Sequence, residues 1–190
     1  PGEKELTGKG VAYCATCDAP FFRGKRVVVA GGGNSALTAA LDLLKVDASV
    51  TLVNYAPGWQ ADEIMLEAAR KRRERVVFLD MHQVLSIEGR ERVSGVTVKD
   101  RRSEKTAAIE VDGIFVEIGL LPNSEPVREL AALNEAGELI VDCHCRTSVA
   151  GLYGAGDVTT VPQKQIIISA GEGAKAALSA YDDLMRQGVI

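Results

Sequence analysis

Two thiols stand two residues apart in Cys14-Ala15-Thr16-Cys17, and an acid, Asp18, follows the second. Cysteines at this spacing can close a small disulfide ring, and such pairs often have a lowered thiol pKa that speeds exchange near neutral pH. An acid beside them can give a proton to a leaving thiolate and take it back. The spacing alone leaves two other readings open: half of a four-ligand zinc site, or inert buried thiols. A second Cys-x-x-Cys is absent from the chain. Redox chemistry is favoured by the glycine run Gly31-Gly32-Gly33-Asn34-Ser35-Ala36 a short way down the chain.

That run lies between an apolar strand-like segment, Arg26–Ala30, and residues 34–46, whose apolar positions recur at helical spacing. A second buried-strand pattern at 49–53 completes a βαβ unit of the doubly wound kind. In such a unit Gly31 allows the tight turn, Gly33 lets the backbone approach a pyrophosphate, and Ala36 keeps helix and strand close. Asn34 and Ser35 open the helix, whose N-terminal N–H groups and positive dipole end face the phosphates. A fingerprint of this form is weak alone and fairly strong between a strand and a helix.

The tip of the second strand selects the cofactor in these units, an acid for the ribose hydroxyls of NAD, arginines for the extra phosphate of NADP. Here the tip, Asn54-Tyr55-Ala56-Pro57-Gly58-Trp59-Gln60-Ala61, carries neither. A 2′-phosphate would lack charge-assisted partners, which disfavours NADPH, while Asn54 can bond a hydroxyl, so NADH is expected. Trp59 against the adenine is an alternative to a packed loop aromatic, and packing is preferred.

The elements that must position these residues belong to a chain of 190 residues, 46% apolar, enough for one large or two small domains. With 22 basic and 26 acidic residues, the balance argues against nucleic acid or an anionic membrane as partner. Four cysteines do not form a secreted disulfide framework, no long apolar run or signal peptide stands out, and a reducing cytoplasm suits a catalytic dithiol. The chain opens on Pro1, and residues 2–10 read as a polar, glycine-punctuated connector, so a piece of a longer protein is expected.

Residues 61–73 read as a helix, with acids early and a basic cluster late, in keeping with its dipole. Short strand patterns at 76–79, 84–88, 93–99 and 107–111 read as a small antiparallel meander, and 113–118 as another buried strand. His82 reads as a structural side chain. Beyond Pro122 the texture turns polar and loop-rich, with short strands expected at 138–142 and 152–157. Cys143-His144-Cys145 invites a metal, but alternate strand residues face opposite ways and no fourth ligand is at hand, so ordinary thiols are preferred. A final helix ends near Arg186, and its Gly171 and Gly173 predict a close approach to its backbone.

Taken together, Gly10-Val11-Ala12-Tyr13-Cys14, Gly24-Lys25-Arg26-Val27, the glycine run, Ile118-Gly119-Leu120-Leu121-Pro122-Asn123, Gly156-Asp157 and residues 159–168 resemble the low-molecular-weight thioredoxin reductase family of flavoproteins. Residues 159–168 and Gly171-Glu172-Gly173-Ala174-Lys175-Ala176 are most similar to its alkyl hydroperoxide reductase branch. The resemblance implies an α/β fold: a Rossmann-like pyridine-nucleotide domain with an antiparallel meander at residues 1–117, and the C-terminal part of an FAD domain at 118–190. The first FAD half would lie upstream of the dithiol and is not in this sequence.

It further implies hydride transfer from NADH to FAD and electron transfer from FAD to a Cys14–Cys17 disulfide. Cys17 is then the flavin-side sulfur, Cys14 the interchange thiol, and Asp18 the acid and base. Gly119, Gly156, Asp157 and the backbone at Gln165 and Ile166 fall to the flavin side, with no metal site. The implied acceptor is a thioredoxin-like domain or a peroxiredoxin system, the implied assembly a homodimer, and the implied hinges lie near residues 8–10 and Gly119. An NADPH-dependent thioredoxin reductase, or a nucleotide-binding module without turnover, are the alternatives.

Overall fold

The computed structural model describes residues 1–189. They divide into two compact units, Pro1–Gly119 and the segment from Leu120 onward. Ile190, the last residue of the expected second domain, lies outside the described residues.

In the first unit a helical turn, α1 (Glu3–Leu6), precedes β1 (Val11–Ala12), a second turn α2 (Ala15–Asp18), and the strand-helix-strand core β2 (Arg26–Ala30), α3 (Asn34–Lys45) and β3 (Ser49–Asn54). Then come α4 (Glu63–Arg70), β4 (Val76–Asp80), β5 (His82–Gly89), β6 (Val93–Asp100), β7 (Thr106–Glu110) and β8 (Gly113–Val116). Five strands form one sheet in the order β1-β8-β2-β3-β4 with every pair parallel, while β5-β6-β7 form a separate antiparallel sheet.

The period of two along each central strand decides which layer a side chain enters. Val27, Val29, Val50, Leu52 and Phe115 join the buried face of α3, built on Leu37, Ala40 and Leu43. Val28, Ala30, Val53 and Ile114 point the other way and meet Ile87, Val96 and Val98 of the antiparallel sheet. The parallel strands are thus apolar on both faces, as a sheet covered on both sides requires. Phe22 meets Phe115 edge-on at 5.1 Å, and Trp59 meets Phe78 likewise at 5.1 Å.

Four sequence expectations change here. The run at 76–79 belongs to the parallel sheet, where Val76 pairs with Val50, and so the meander has three strands. An apolar run of that length fixes strand character and not which sheet receives it. Residues 2–10 are not an unfolded connector: Leu6 is 1% exposed and the Ile87 N–H donates to the Pro1 carbonyl at 2.9 Å.

The helix expected over 61–73 ends at Arg70, and the bonds beyond it are turns from Lys71 to Arg75. In the second unit the runs at 138–142 and 152–157 make isolated bridges among the described residues, Leu139 with Leu133 and Thr159, and Tyr153 with Arg146, and the second run ends in a 3-10 turn at Gly156–Val158. β-propensity gives an extended backbone, whereas a ladder also needs neighbours along its length. The long helix α5 (Ile166–Arg186) dominates this unit and is held by Asp183, which accepts two bonds from Arg146 and one from the Tyr153 hydroxyl.

Candidate functional site

In the first unit, β2 runs to β3 on one side and neighbours β8 on the other, so the chain direction across the sheet switches between β2 and β8. Ligands of open α/β sheets bind outside the carboxyl ends of strands at such a point. A cleft of about 780 Å³ opens there, walled by the glycine turn, the tip of β3, β5 and the end of β8.

The three glycines of the turn do different work. Gly31 has φ +147°, and a side chain there would run into the Glu117 carbonyl and Ala36. Gly32 packs against the Asn54 amide. Gly33 has nothing within 4 Å of where a Cβ would stand, so its side of the turn is open to a ligand at the N-terminus of α3. Ala36 is fully buried. This is the form of a pyrophosphate cradle, with the N–H groups and positive end of α3 turned to the opening.

Polar side chains expected at the cofactor have a different immediate task. Asn34 donates from Nδ2 to Asp62 Oδ2 at 3.1 Å and accepts from the Asp62 N–H at 2.8 Å, which staples the loop before α4 to the turn. Gln60 N–H adds a bond to the Gly32 carbonyl at 2.9 Å. Asn54 is 3% exposed, donates to the Ala56 and Gly58 carbonyls and accepts from the Ala56 N–H, so its amide shapes the loop it begins. The Asn54 amide thus bonds the backbone of its own loop. Trp59, half-buried, packs against the core.

Sequence reading missed Glu117. It stands at the end of β8, lines the cleft and accepts a short hydrogen bond from the Ser35 hydroxyl. Burial pushes its carboxyl up from the usual range, with the Ser35 bond acting the other way. An acid directly after an apolar strand and before Ile118-Gly119 was the available signal. Gly119, at φ +105°, closes the cleft wall. His82 also lines the cleft, its Nδ1 2.7 Å from the Asp80 carbonyl.

Cys14 and Cys17 form a disulfide with Cα atoms 5.3 Å apart. Cys14 ends the extension of β1 and caps α2, its Sγ accepting from the Cys17 N–H at 3.3 Å, and Cys17 is exposed. Asp18, half-buried, ends α2. The dithiol therefore sits at the carboxyl end of β1 on the helix-covered side, and it is not among the residues lining the cleft. Dinucleotide cradle and disulfide share one sheet edge without sharing one cavity.

In the second unit, Gly156 has φ +76° and donates its N–H to Glu172 Oε2 at 3.1 Å. Asp157 accepts from the Ser169 hydroxyl at 3.2 Å. Gln165 precedes α5, and Ile166 in its first turn is 84% exposed. Within the described residues nothing comes within 4 Å of a Cβ built at Gly171 or Gly173, so the expected close approach is not made there. Cys143 is exposed, while Cys145 is buried with its thiol 3.6 Å from the Glu172 carbonyl and pushed up by that burial.

The family model for pyridine nucleotide-disulphide oxidoreductases matches residues 1–177. The chain belongs to the pyridine nucleotide-disulphide oxidoreductase family. It is 47% identical over 186 residues to the F component of alkyl hydroperoxide reductase from Xanthomonas campestris pv. phaseoli, covering 98% of this chain and 35% of that protein. It is 46% identical to the same component of the Escherichia coli K12 enzyme over 98% of this chain and 36% of that protein. A protein of Bacillus subtilis 168 named NADH dehydrogenase is also 46% identical, with the same shares covered.

The chain thus spans about a third of the length of the curated relatives it matches. Among solved structures, thioredoxin reductase from Streptococcus pyogenes MGAS5005 superposes with a TM-score of 0.87 at 33% identity, over 98% of this chain and 61% of that one. The enzyme from T. acidophilum gives 0.70 at 40% identity, over 97% and 60%. The likeness takes in the part of the chain that carries the parallel sheet, the antiparallel sheet and the Cys14–Cys17 disulfide.

Proposed function

We propose that this chain carries the nucleotide site and redox dithiol of a disulfide reductase that moves electrons from NADH through FAD to Cys14–Cys17. From there they pass to a thioredoxin-like domain or a peroxiredoxin system. The observation that carries this reading is the placement of an open glycine cradle and a Cys14–Cys17 disulfide on one edge of one parallel sheet. The names of the relatives, alkyl hydroperoxide reductase components and an NADH dehydrogenase, support NADH as donor.

In this reading residues 1–117 bind the pyridine nucleotide and residues 118–190 belong to the flavin side, in a cytoplasmic homodimer. Among the described residues no helix is long and apolar enough to cross a membrane.

The cradle residues fit a dinucleotide: Gly33 leaves room, and α3 offers N–H donors to a pyrophosphate. The exposed first turn of α5 and the Gly156-Asp157 corner fit a flavin edge and its ribityl region, where the backbone near Gln165 and Ile166 would lie against a developing negative charge. FAD, when bound, supplies the two-electron relay between nicotinamide and disulfide. Reduction breaks the Cys14–Cys17 bond with two electrons, and Asp18 holds the proton that leaves or returns as the thiols ionise. The Cys14 thiolate then attacks the acceptor disulfide, forming a mixed disulfide and expelling one acceptor thiolate, and the Cys17 thiolate attacks Cys14 Sγ, closing the ring and releasing the second acceptor thiolate.

The test is calorimetric titration of the 190-residue protein with NADH and with NADPH. Binding of NADH at least tenfold tighter than NADPH is expected. The reverse preference transfers the reading to an NADPH-dependent thioredoxin reductase, and no binding of either overturns it.

A further inference from the structure

The rim of the cleft carries an exposed aromatic that neither the fingerprint nor the dithiol uses. Tyr55 follows Asn54 at the tip of β3, is 56% exposed and lines the cleft. An exposed tyrosine at a loop tip would ordinarily swing through several rotamers. This one is held. The Arg101 guanidinium, brought from the turn after β6, lies over its ring at 3.7 Å from the centroid and donates from Nη1 to the Tyr55 carbonyl at 2.8 Å. Arg101 is fixed in turn by its own N–H to the Met81 carbonyl at 2.8 Å. The loop beneath is set by the Asn54 amide and tied to the glycine turn through Gln60 and Asp62.

Arg101 covers one face of the ring and is not among the residues lining the cleft, whereas Tyr55 lines it and keeps 56% of its surface exposed. A flat, rigid, apolar face bordering a phosphate cradle is suited to a purine base. Every base has a π-face, and a ring already ordered loses little freedom on binding. A cation on the far face holds the ring through its quadrupole, and a planar guanidinium does so better than an ammonium.

We propose that Tyr55, clamped by Arg101, is the platform on which the adenine of the dinucleotide stacks. The proposal rests on the NADH-binding reading and locates the adenosine end of that ligand. It also accounts for the strand tip: with the Asn54 amide spent on the loop, affinity for the adenosine half comes from stacking on Tyr55 in place of an acid on the ribose. Tyr55 is the binding residue, and Arg101 is its positioning residue.

The experiment combines calorimetry of NADH and ADP-ribose with saturation-transfer NMR on the bound dinucleotide, using the 190-residue protein and its Tyr55→Ala, Tyr55→Phe and Arg101→Met variants. Tyr55→Ala is expected to weaken NADH and ADP-ribose together by about 10-fold, the range of one base–aromatic stack. The adenine protons should lose saturation relative to the nicotinamide protons.

Tyr55→Phe keeps both readouts within about twofold, because stacking needs the ring and not the hydroxyl. Arg101→Met gives a smaller loss, about threefold, with the adenine signal again falling before the nicotinamide signal. An unchanged adenine-to-nicotinamide ratio in Tyr55→Ala overturns the proposal, as does an equal loss in Tyr55→Phe. Failure of the unsubstituted protein to bind NADH at all overturns the underlying reading instead, and the inference with it.

Discussion

Gly33→Ala separates binding from folding at the cradle. The site of the added methyl is empty to 4 Å, and φ is −96°, a value any residue adopts. Alanine at a helix N-cap costs some tenths to about 1 kcal/mol relative to glycine, and the lost freedom of the unfolded chain returns about 0.4–1 kcal/mol. The net change is near zero, and the melting temperature should move by no more than about 3 °C.

A dinucleotide meets the same methyl where its pyrophosphate must approach the N–H groups of α3. Loss of one charge-assisted hydrogen bond is worth about 1.5–3 kcal/mol, or roughly 10- to 100-fold in affinity. The contrasting change is Gly31→Ala, which forces φ +147° on a side chain and drives it into the Glu117 carbonyl. Backbone strain of that kind costs about 1–3 kcal/mol before the collision is counted, so the melting point should fall by several degrees. Calorimetric NADH titration and thermal unfolding on both variants decide the matter. A Gly33→Ala protein that binds NADH as tightly as the parent refutes the cradle assignment, whatever its stability.

Asn34→Ala removes both bonds to Asp62 while leaving the turn glycines intact, and should weaken NADH several-fold with a stability loss of about 1 kcal/mol, read by urea titration. Glu117 has its carboxyl pushed up by burial, so its ionised form opposes the fold: stability is fullest below the ordinary carboxyl value of 4.5 and declines as pH rises through the higher folded value. Glu117→Gln should flatten that decline in urea unfolding between pH 4 and pH 7, and an unchanged slope would show that Glu117 is not its source.

Asp183 is held low by Arg146 and Tyr153, so its contribution is present above 3.8 and fades as pH falls further. Asp183→Asn should remove that acid sensitivity and speed hydrogen exchange in α5 at neutral pH, without altering NADH affinity.

The strand-turn-helix at 26–45 was legible because three local signals coincide there: a valine run, glycines at fixed offsets, and helical spacing after them. The dithiol was legible for a similar reason, since its chemistry lies within four residues. What escaped depends on partners distant in sequence. Asn34 meets Asp62 across 28 positions and Arg101 meets Tyr55 across 46, so neither staple nor clamp leaves a local trace.

Asn34 also holds the loop before α4 through Asp62, and Asn54 holds the loop that it begins. The run at 76–79 joins the parallel sheet and not the meander, since hydrophobic period speaks to burial and not to pairing partner. Beyond Pro122, short apolar runs with turn residues between them overstated the strands.

Transfer of NADH electrons to the Cys14–Cys17 disulfide is tested most directly by anaerobic addition of one equivalent of NADH to the FAD-loaded full-length enzyme that contains this chain, followed by quenching with an alkylating agent and mass mapping. Cys14 and Cys17 should both acquire the label within the turnover time, and NADPH should label them at least tenfold more slowly. A disulfide that stays closed while the flavin absorbance bleaches would contradict electron transfer to this pair.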